Sequence, residues 1–204
     1  MRLWREQVLP RFIDLALRSP EVTAFRKRCV EGLTGVVVEP GFGSGLNVAH
    51  YPPEVTHVYG VDPAVVGRKL AAKRVDAAIA TVEHIGLDGQ SLPLEDDSCD
   101  AGLLTFTLCT IPDVAQALSE LRRVIRPGGR LHFLEHGRSP DAKVAKWQDR
   151  LTPLQRRIAD GCHLNRSIVD LIAESGFEID SSDSSYATGP KSVGWFTVGQ
   201  AINR

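Results

Sequence analysis

The run Gly35-Val36-Val37-Val38-Glu39-Pro40 leads directly into Gly41-Phe42-Gly43-Ser44-Gly45, and this junction constrains the chain more than any other. Three successive β-branched residues suit a strand buried on both faces. Glycine at every second position beyond it permits a tight turn and a close approach of backbone to a ligand. A strand buried on both faces needs helices above and below it, so the segment points to an α/β fold.

The rest of the chain repeats the pattern. Further strands are expected at 57–63, 81–88, 99–107 and 130–136, with helices at about 44–51, 64–77 and 113–125. Ser44 is placed to cap the first of these helices and Asp113 the last, while Pro127-Gly128-Gly129 ends the last in a turn. Alternating strands and helices imply parallel strands joined by right-handed crossovers. After helices near 141–158 and 166–175 the alternation stops. Strand-like segments at 177–184 and 193–202 follow, separated only by a loop containing Gly189-Pro190, and should pair antiparallel. The expected architecture is a Rossmann-like, doubly wound seven-stranded sheet, mostly parallel, with an antiparallel C-terminal hairpin. Residues 1–34 form a helical lid or cap, and 35–204 the main domain. Residues 2–17 have helical apolar spacing, and Pro10 should kink that helix or begin a second one. Another helix should run from Pro20 to about Leu33.

Charge and cysteine usage narrow the class. Lys plus Arg (24) nearly balances Asp plus Glu (25), which disfavours a nucleic-acid partner. The four cysteines are dispersed without a C-x-x-C pair, and no apolar run is long enough for a membrane span. With no signal-peptide pattern, a cytoplasmic protein with reduced thiols is expected. The sequence carries no signature of a particular oligomeric state.

Asp62 stands at the end of the second strand, about 20 residues beyond the glycines, where a carboxylate can accept both hydroxyls of a ribose. A turn residue before Pro63 is the plainer reading. A dinucleotide loop would read G-x-G-x-x-G, but Leu46 occupies its last position and glycine comes one residue early. That spacing favours S-adenosylmethionine (SAM) over a dinucleotide.

The segments "VVVEPGFGSGLN", "GVDP", "LDGQSLPLEDDSCD" and "LRRVIRPGGRLHFLEH", in that order, resemble the class I SAM-dependent methyltransferases over residues 35–136. The resemblance implies that Glu39, Gly41, Phe42, Gly43, Ser44 and Gly45 surround the methionine part of SAM. It places Asp62 and Pro63 at the ribose, Asp88 and Gly89 at the adenine, and Thr105 facing the cofactor. "TFTLCTIPD", "FLEHG", "WQDRLTP" and "DGCHLNR" are similar to a bacterial group of small-molecule methyltransferases, often called phospholipid methyltransferases, and to animal alkyl-thiol methyltransferases. The implied activity is methyl transfer to a small, apolar acceptor through sulfur, oxygen or nitrogen. A phospholipid or quinone methyltransferase at a membrane surface is the alternative, and a non-catalytic SAM-binding regulator is another.

Glu135 and His136 close the fifth strand on the rim where an acceptor enters, and His136 is a candidate base. Both also suit a role as hydrogen-bonding supports of neighbouring loops. Cys162-His163 suggests metal at first sight, but no further ligands accompany the pair at recognisable spacing, so no metal is expected. His163 is read as a substrate-site or proton-relay residue, or as a structural one. Asn165 should cap the helix at 166–175, Arg166 should make a structural salt bridge, and Trp147 should pack on the apolar side of its helix. Cys109 either lines the pocket or is a buried inert thiol. The apolar face carrying Trp4 and Phe12 suits a lid. The neighbouring Arg2, Arg5, Arg11 and Arg18 make contact with a membrane surface an alternative, but a packed helix with a solvated basic face is the favoured reading.

Overall fold

A computed structural model describes residues 4–204; Arg2 and Leu3 lie outside the described residues, as does the side chain of Arg5. Seven strands form one sheet in the order β3-β2-β1-β4-β5-β7-β6. They are β1 (Gly35–Pro40), β2 (Val55–Val61), β3 (Thr81–Gly86), β4 (Cys99–Thr105), β5 (Ile125–His136), β6 (Phe177–Tyr186) and β7 (Trp195–Asn203). The first five are parallel, and β7 runs antiparallel to both β5 and β6. The order reverses between β1 and β4, the switch point at which doubly wound sheets bind ligands. This is the expected architecture, with the hairpin folded inward so that β6 forms the edge.

Alternation along each strand divides the core into two layers. Val37, Leu103 and Leu134 join one apolar cluster with Val22, Cys29 and Val30 of α2 (Pro20–Val30) and Ala71 of α3 (Val65–Asp76). Val38, Leu104 and Phe133 join the other with Leu118 and Leu121 of α4 (Val114–Val124) and Ile168 and Ile172 of α6 (Ile168–Glu174). The remaining helices are α1 (Leu9–Ala16), which follows a π-helical segment at Trp4–Val8, and α5 (Ala142–Ile158). Pro10 sits in the first turn of α1, so it begins a helix instead of bending one. No helix among the described residues is long and apolar enough to cross a membrane.

Local departures from the expectation have identifiable causes. No α-helix forms at 44–51; only a 3-10 turn at Val48–His50 is present. The Asn47 side chain is drawn into a buried network, and Pro52 and Pro53 deny the segment helical hydrogen bonds. Ser44 therefore has no α-helix to cap. β5 starts before Pro127-Gly128-Gly129, and those residues swell into a bulge, since Cys99 pairs Ile125 while Ala101 pairs Arg130. Asp113 does cap α4, accepting the N–H of Gln116 at 3.0 Å. Ser167, not Asn165, precedes α6; the amide of Asn165 donates to Asp149 at 2.9 Å. Trp147 is exposed beneath the guanidinium of Arg150, and Gln148 occupies the buried side of α5.

Candidate active site

The carboxyl ends of β1, β2, β4 and β5 converge on the glycine loop. Gly41, Gly43 and Gly45 all have positive φ, at 74°, 55° and 72°. At Gly41 the requirement is double, because a Cβ there would lie 2.0 Å from Thr107 Oγ1. Thr107 Oγ1 donates to the carbonyl of Pro40 at 3.2 Å, holding the loop after β4 against the end of β1. Asp62, just beyond β2, accepts the N–H of Gly43 at 2.8 Å and that of Ala64 at 2.7 Å. Burial raises its pKa, and these two hydrogen bonds oppose the rise. Phe42 turns inward, its ring edge-to-face with His84 at 5.0 Å.

Glu39 is fully enclosed behind this loop. Its carboxylate accepts from Asn47 at 2.8 Å and from the Tyr51 hydroxyl at 2.5 Å. Burial pushes its pKa up to about 7, against the pull of Tyr51, Asn47 and the Arg26 guanidinium. Arg26 reaches in from α2, donating to Asn47 Oδ1 at 2.7 Å and to Thr105 Oγ1 at 3.3 Å. Asn47 also donates to Thr105 at 2.9 Å. Arg26 Nε is buried without a hydrogen-bond partner among the described residues. Arg26 and Tyr51 were not legible as site residues, and Asn47 was visible only as the last letter of a motif. Asp88 and Pro63 are exposed, and Asp88 folds onto Gln90 through a 2.9 Å bond to its N–H. A Cβ on Gly89 would stand 3.2 Å from Pro40, so this turn lies against the end of β1.

The other half of the site is built on β4 and β5. Phe106, directly after β4, has φ of 55°, an uncommon conformation for a bulky residue that costs about 1–3 kcal/mol. The turn it begins is held by Glu135, whose Oε1 accepts the N–H groups of Thr107 at 2.7 Å and Leu108 at 2.9 Å. Burial raises the Glu135 pKa to about 7 despite those bonds. His136 Nε2 lies 3.2 Å from Cys162 Sγ. Burial works against its charge, while Cys162 and Glu135 more than offset that and raise its pKa. His163 turns elsewhere, with its backbone N–H donating to the Cys109 carbonyl at 2.7 Å and its Nδ1 3.2 Å from the same oxygen. Arg166 forms hydrogen bonds to the carbonyls of Leu108 and Ile111, so its expected salt bridge is replaced by a backbone clamp on the same turn. The partners that Cys162 lacked in the sequence arrive through the fold, since Cys109 and His136 join it.

Comparison with known proteins decides the family. Residues 38–133 match the methyltransferase domain family. Thiol S-methyltransferase TMT1B of Rattus norvegicus is 32% identical over 174 residues, covering 81% of this chain and 68% of that protein. The chain is a class I SAM-dependent methyltransferase. The Homo sapiens TMT1B is 31% identical, covering 85% of this chain and 72% of that protein. A SAM-dependent methyltransferase of Thermotoga maritima, described as a possible histamine N-methyltransferase, shares the fold with a TM-score of 0.70. It covers 98% of this chain and 99% of its own at 21% identity.

The cofactor of this methyltransferase is SAM, and the site suits it. SAM carries a sulfonium and an ammonium, and the buried carboxyl group of Glu39 and the half-buried one of Asp62 flank the loop that would receive them. At Gly43, where a Cβ would meet nothing nearer than 3.7 Å, the absence of a side chain leaves room for close approach.

Proposed function

We propose that this methyltransferase transfers the methyl group of SAM to the sulfur of a small, apolar thiol. The observation that carries the reading is the pairing of a SAM-type glycine loop with an acceptor half built from Phe106, Cys109 and His136 around one buried turn. Thiol S-methyltransferases are also the relatives that match over most of the chain. Bound SAM supplies an electrophilic methyl on a good leaving group, so alignment and water exclusion form most of the protein's task.

In this reading Glu39, Gly41, Phe42, Gly43, Ser44 and Gly45 enclose the methionine part, Asp62 and Pro63 meet the ribose, and Asp88 and Gly89 the adenine. Thr105 and Arg26 hold the floor beneath it. Glu135 positions the 106–109 turn through two backbone N–H groups. His163 acts through the Cys109 carbonyl, not on the acceptor. A thiol needs little help from a base, because its ordinary pKa is near 8.5.

The N-terminal segment is read as a cover on the acceptor side. Asp14 of α1 pairs with Arg74 of α3 at 2.9 Å, and Arg74 donates to the carbonyl of Ser44 in the glycine loop at 2.5 Å. Trp4 Nε1 donates to the carbonyl of Ile158 at the end of α5, at 2.8 Å. This leaves Phe12, Leu15, Leu154 and Ile158 exposed, an apolar rim suited to an apolar acceptor. The four buried, free cysteines suit a reducing compartment, and the proposal places the enzyme in the cytoplasm.

An acceptor panel tests the reading. Purified protein with SAM and an alkyl thiol, a phenol, an amine or phosphatidylethanolamine vesicles is assayed for S-adenosylhomocysteine. The thiol should give the fastest turnover; faster turnover with vesicles, together with sedimentation on them, would transfer the activity to a lipid.

A further inference from the structure

Two thiols and an imidazole meet where the turn after β4, the end of β5 and the turn after α5 come together. The donor atoms of Cys109, His136 and Cys162 all lie within 4.8 Å of one another, and all three residues are buried. They come from separate elements, which is why no ligand spacing marks them along the chain.

We propose that Cys109 Sγ, Cys162 Sγ and His136 Nε2 bind one thiophilic divalent ion of the zinc type. Thiolate and imidazole are the donors such an ion selects over the hard, oxygen-seeking cations. Zn–S bonds of about 2.3 Å and Zn–N bonds of about 2.0–2.1 Å place tetrahedral donors roughly 3.4–3.8 Å apart. His136 Nε2 stands 3.2 Å from Cys162 Sγ, so this pair need open only slightly to reach that spacing.

The backbone around the donors is fixed. Arg166 clamps the carbonyls of Leu108 and Ile111 on either side of Cys109. The Cys109 carbonyl accepts the His163 N–H, and the Cys162 N–H donates to the Ala159 carbonyl at 3.0 Å. Glu135 fixes the N–H groups of Thr107 and Leu108 just before Cys109. A disulfide would use the two sulfurs and leave the imidazole without a role, whereas a metal uses all three groups. His136 and Cys162 each keep 8% of their surface exposed and Cys109 2%, so the three donors sit just beneath the surface. Three protein ligands leave a tetrahedral ion one exchangeable position, the donor count of catalytic rather than structural zinc.

Cobalt substitution tests the site without any methyl acceptor. The purified protein, reduced and stripped with a chelator, is titrated with Co2+. One equivalent should bind with thiolate-to-cobalt charge-transfer absorption and the visible bands of tetrahedral cobalt. Cys109→Ser and Cys162→Ser should each lose much of that absorption, while Cys29→Ser and Cys99→Ser should retain it. If the first two variants fail to fold, X-ray absorption at the zinc edge of the wild-type protein decides; a shell of two sulfurs and one nitrogen from protein supports the site. Absence of charge-transfer absorption in the reduced wild type, its loss with Cys29→Ser or Cys99→Ser alone, or a zinc shell of oxygen alone would overturn it.

Discussion

The carboxylate of Asp62 accepts the backbone N–H of Gly43 at 2.8 Å, tying the end of β2 to the middle of the glycine loop. Its second oxygen holds the N–H of Ala64 at the entrance to α3. One side chain therefore sets the loop and presents a carboxylate beside it. Asp62→Ala should weaken SAM binding by about 1–3 kcal/mol through lost hydrogen bonds. Asp62→Asn, which keeps an acceptor, should lose less. Calorimetry showing unchanged affinity in Asp62→Ala would place the ribose elsewhere.

The buried Glu39 gives SAM binding a pH dependence. It is faced by Arg26 of α2, by Tyr51 beyond the 3-10 turn and by Asp62 after β2. Its pKa is raised from 4.5 to about 7, so between these values the folded protein holds a proton that the unfolded chain has lost. Its contribution to stability therefore falls as pH rises from about 4.5 to 7. A cationic cofactor favours the carboxylate, so SAM affinity should climb over the upper part of that window with release of a proton. Glu39→Gln should flatten both trends. Calorimetry in buffers of different ionisation enthalpy measures the proton directly, and a pH-independent affinity in the wild type would contradict the assignment.

Gly41 tests whether the loop needs its shape. Gly41→Ala puts a methyl group 2.0 Å from Thr107 Oγ1 at a φ of 74°. Relieving that overlap moves the loop or the 106–109 turn. SAM affinity should fall at least tenfold while the far-ultraviolet circular dichroism stays unchanged. Wild-type affinity in the variant would show that the loop does not hold the cofactor.

Gln148 tests a structural role remote from the cofactor. Its amide accepts the N–H of Ser139 at 2.9 Å and donates to the carbonyls of Gly137 at 2.9 Å and Ser192 at 3.2 Å. It is fully buried and joins α5 to the segments after β5 and before β7. Gln148→Ala strands those groups and should cost at least about 1–3 kcal/mol in urea unfolding. SAM affinity should be nearly unchanged. A variant as stable as the wild type would show that water replaces the amide at no cost.

The order of strands and helices was readable because each strand has its own hydrophobic signature. Val37 and Val38, or Leu103 and Leu104, bury on opposite faces, and such runs belong only inside a covered sheet. The loop glycines were readable because positive φ leaves few alternatives. The helix at 44–51 was misread because Asn47 serves a tertiary network that local pattern does not encode. Arg26 was hidden for a related reason: on a helix in a linear sequence, a buried arginine looks the same as a solvated one. Cys109, His136 and Cys162 stand 26 or 27 residues apart, and only the convergence of β4, β5 and the turn after α5 makes them neighbours.

The most direct test of the account is a transfer experiment with methyl-deuterated SAM and an apolar alkyl thiol, read by mass spectrometry. The account predicts a deuterated methyl thioether and one S-adenosylhomocysteine for each, with Asp62→Ala far slower at limiting SAM. SAM binding with no deuterated thioether, while a phenol, an amine or a phospholipid gains the label, would contradict it.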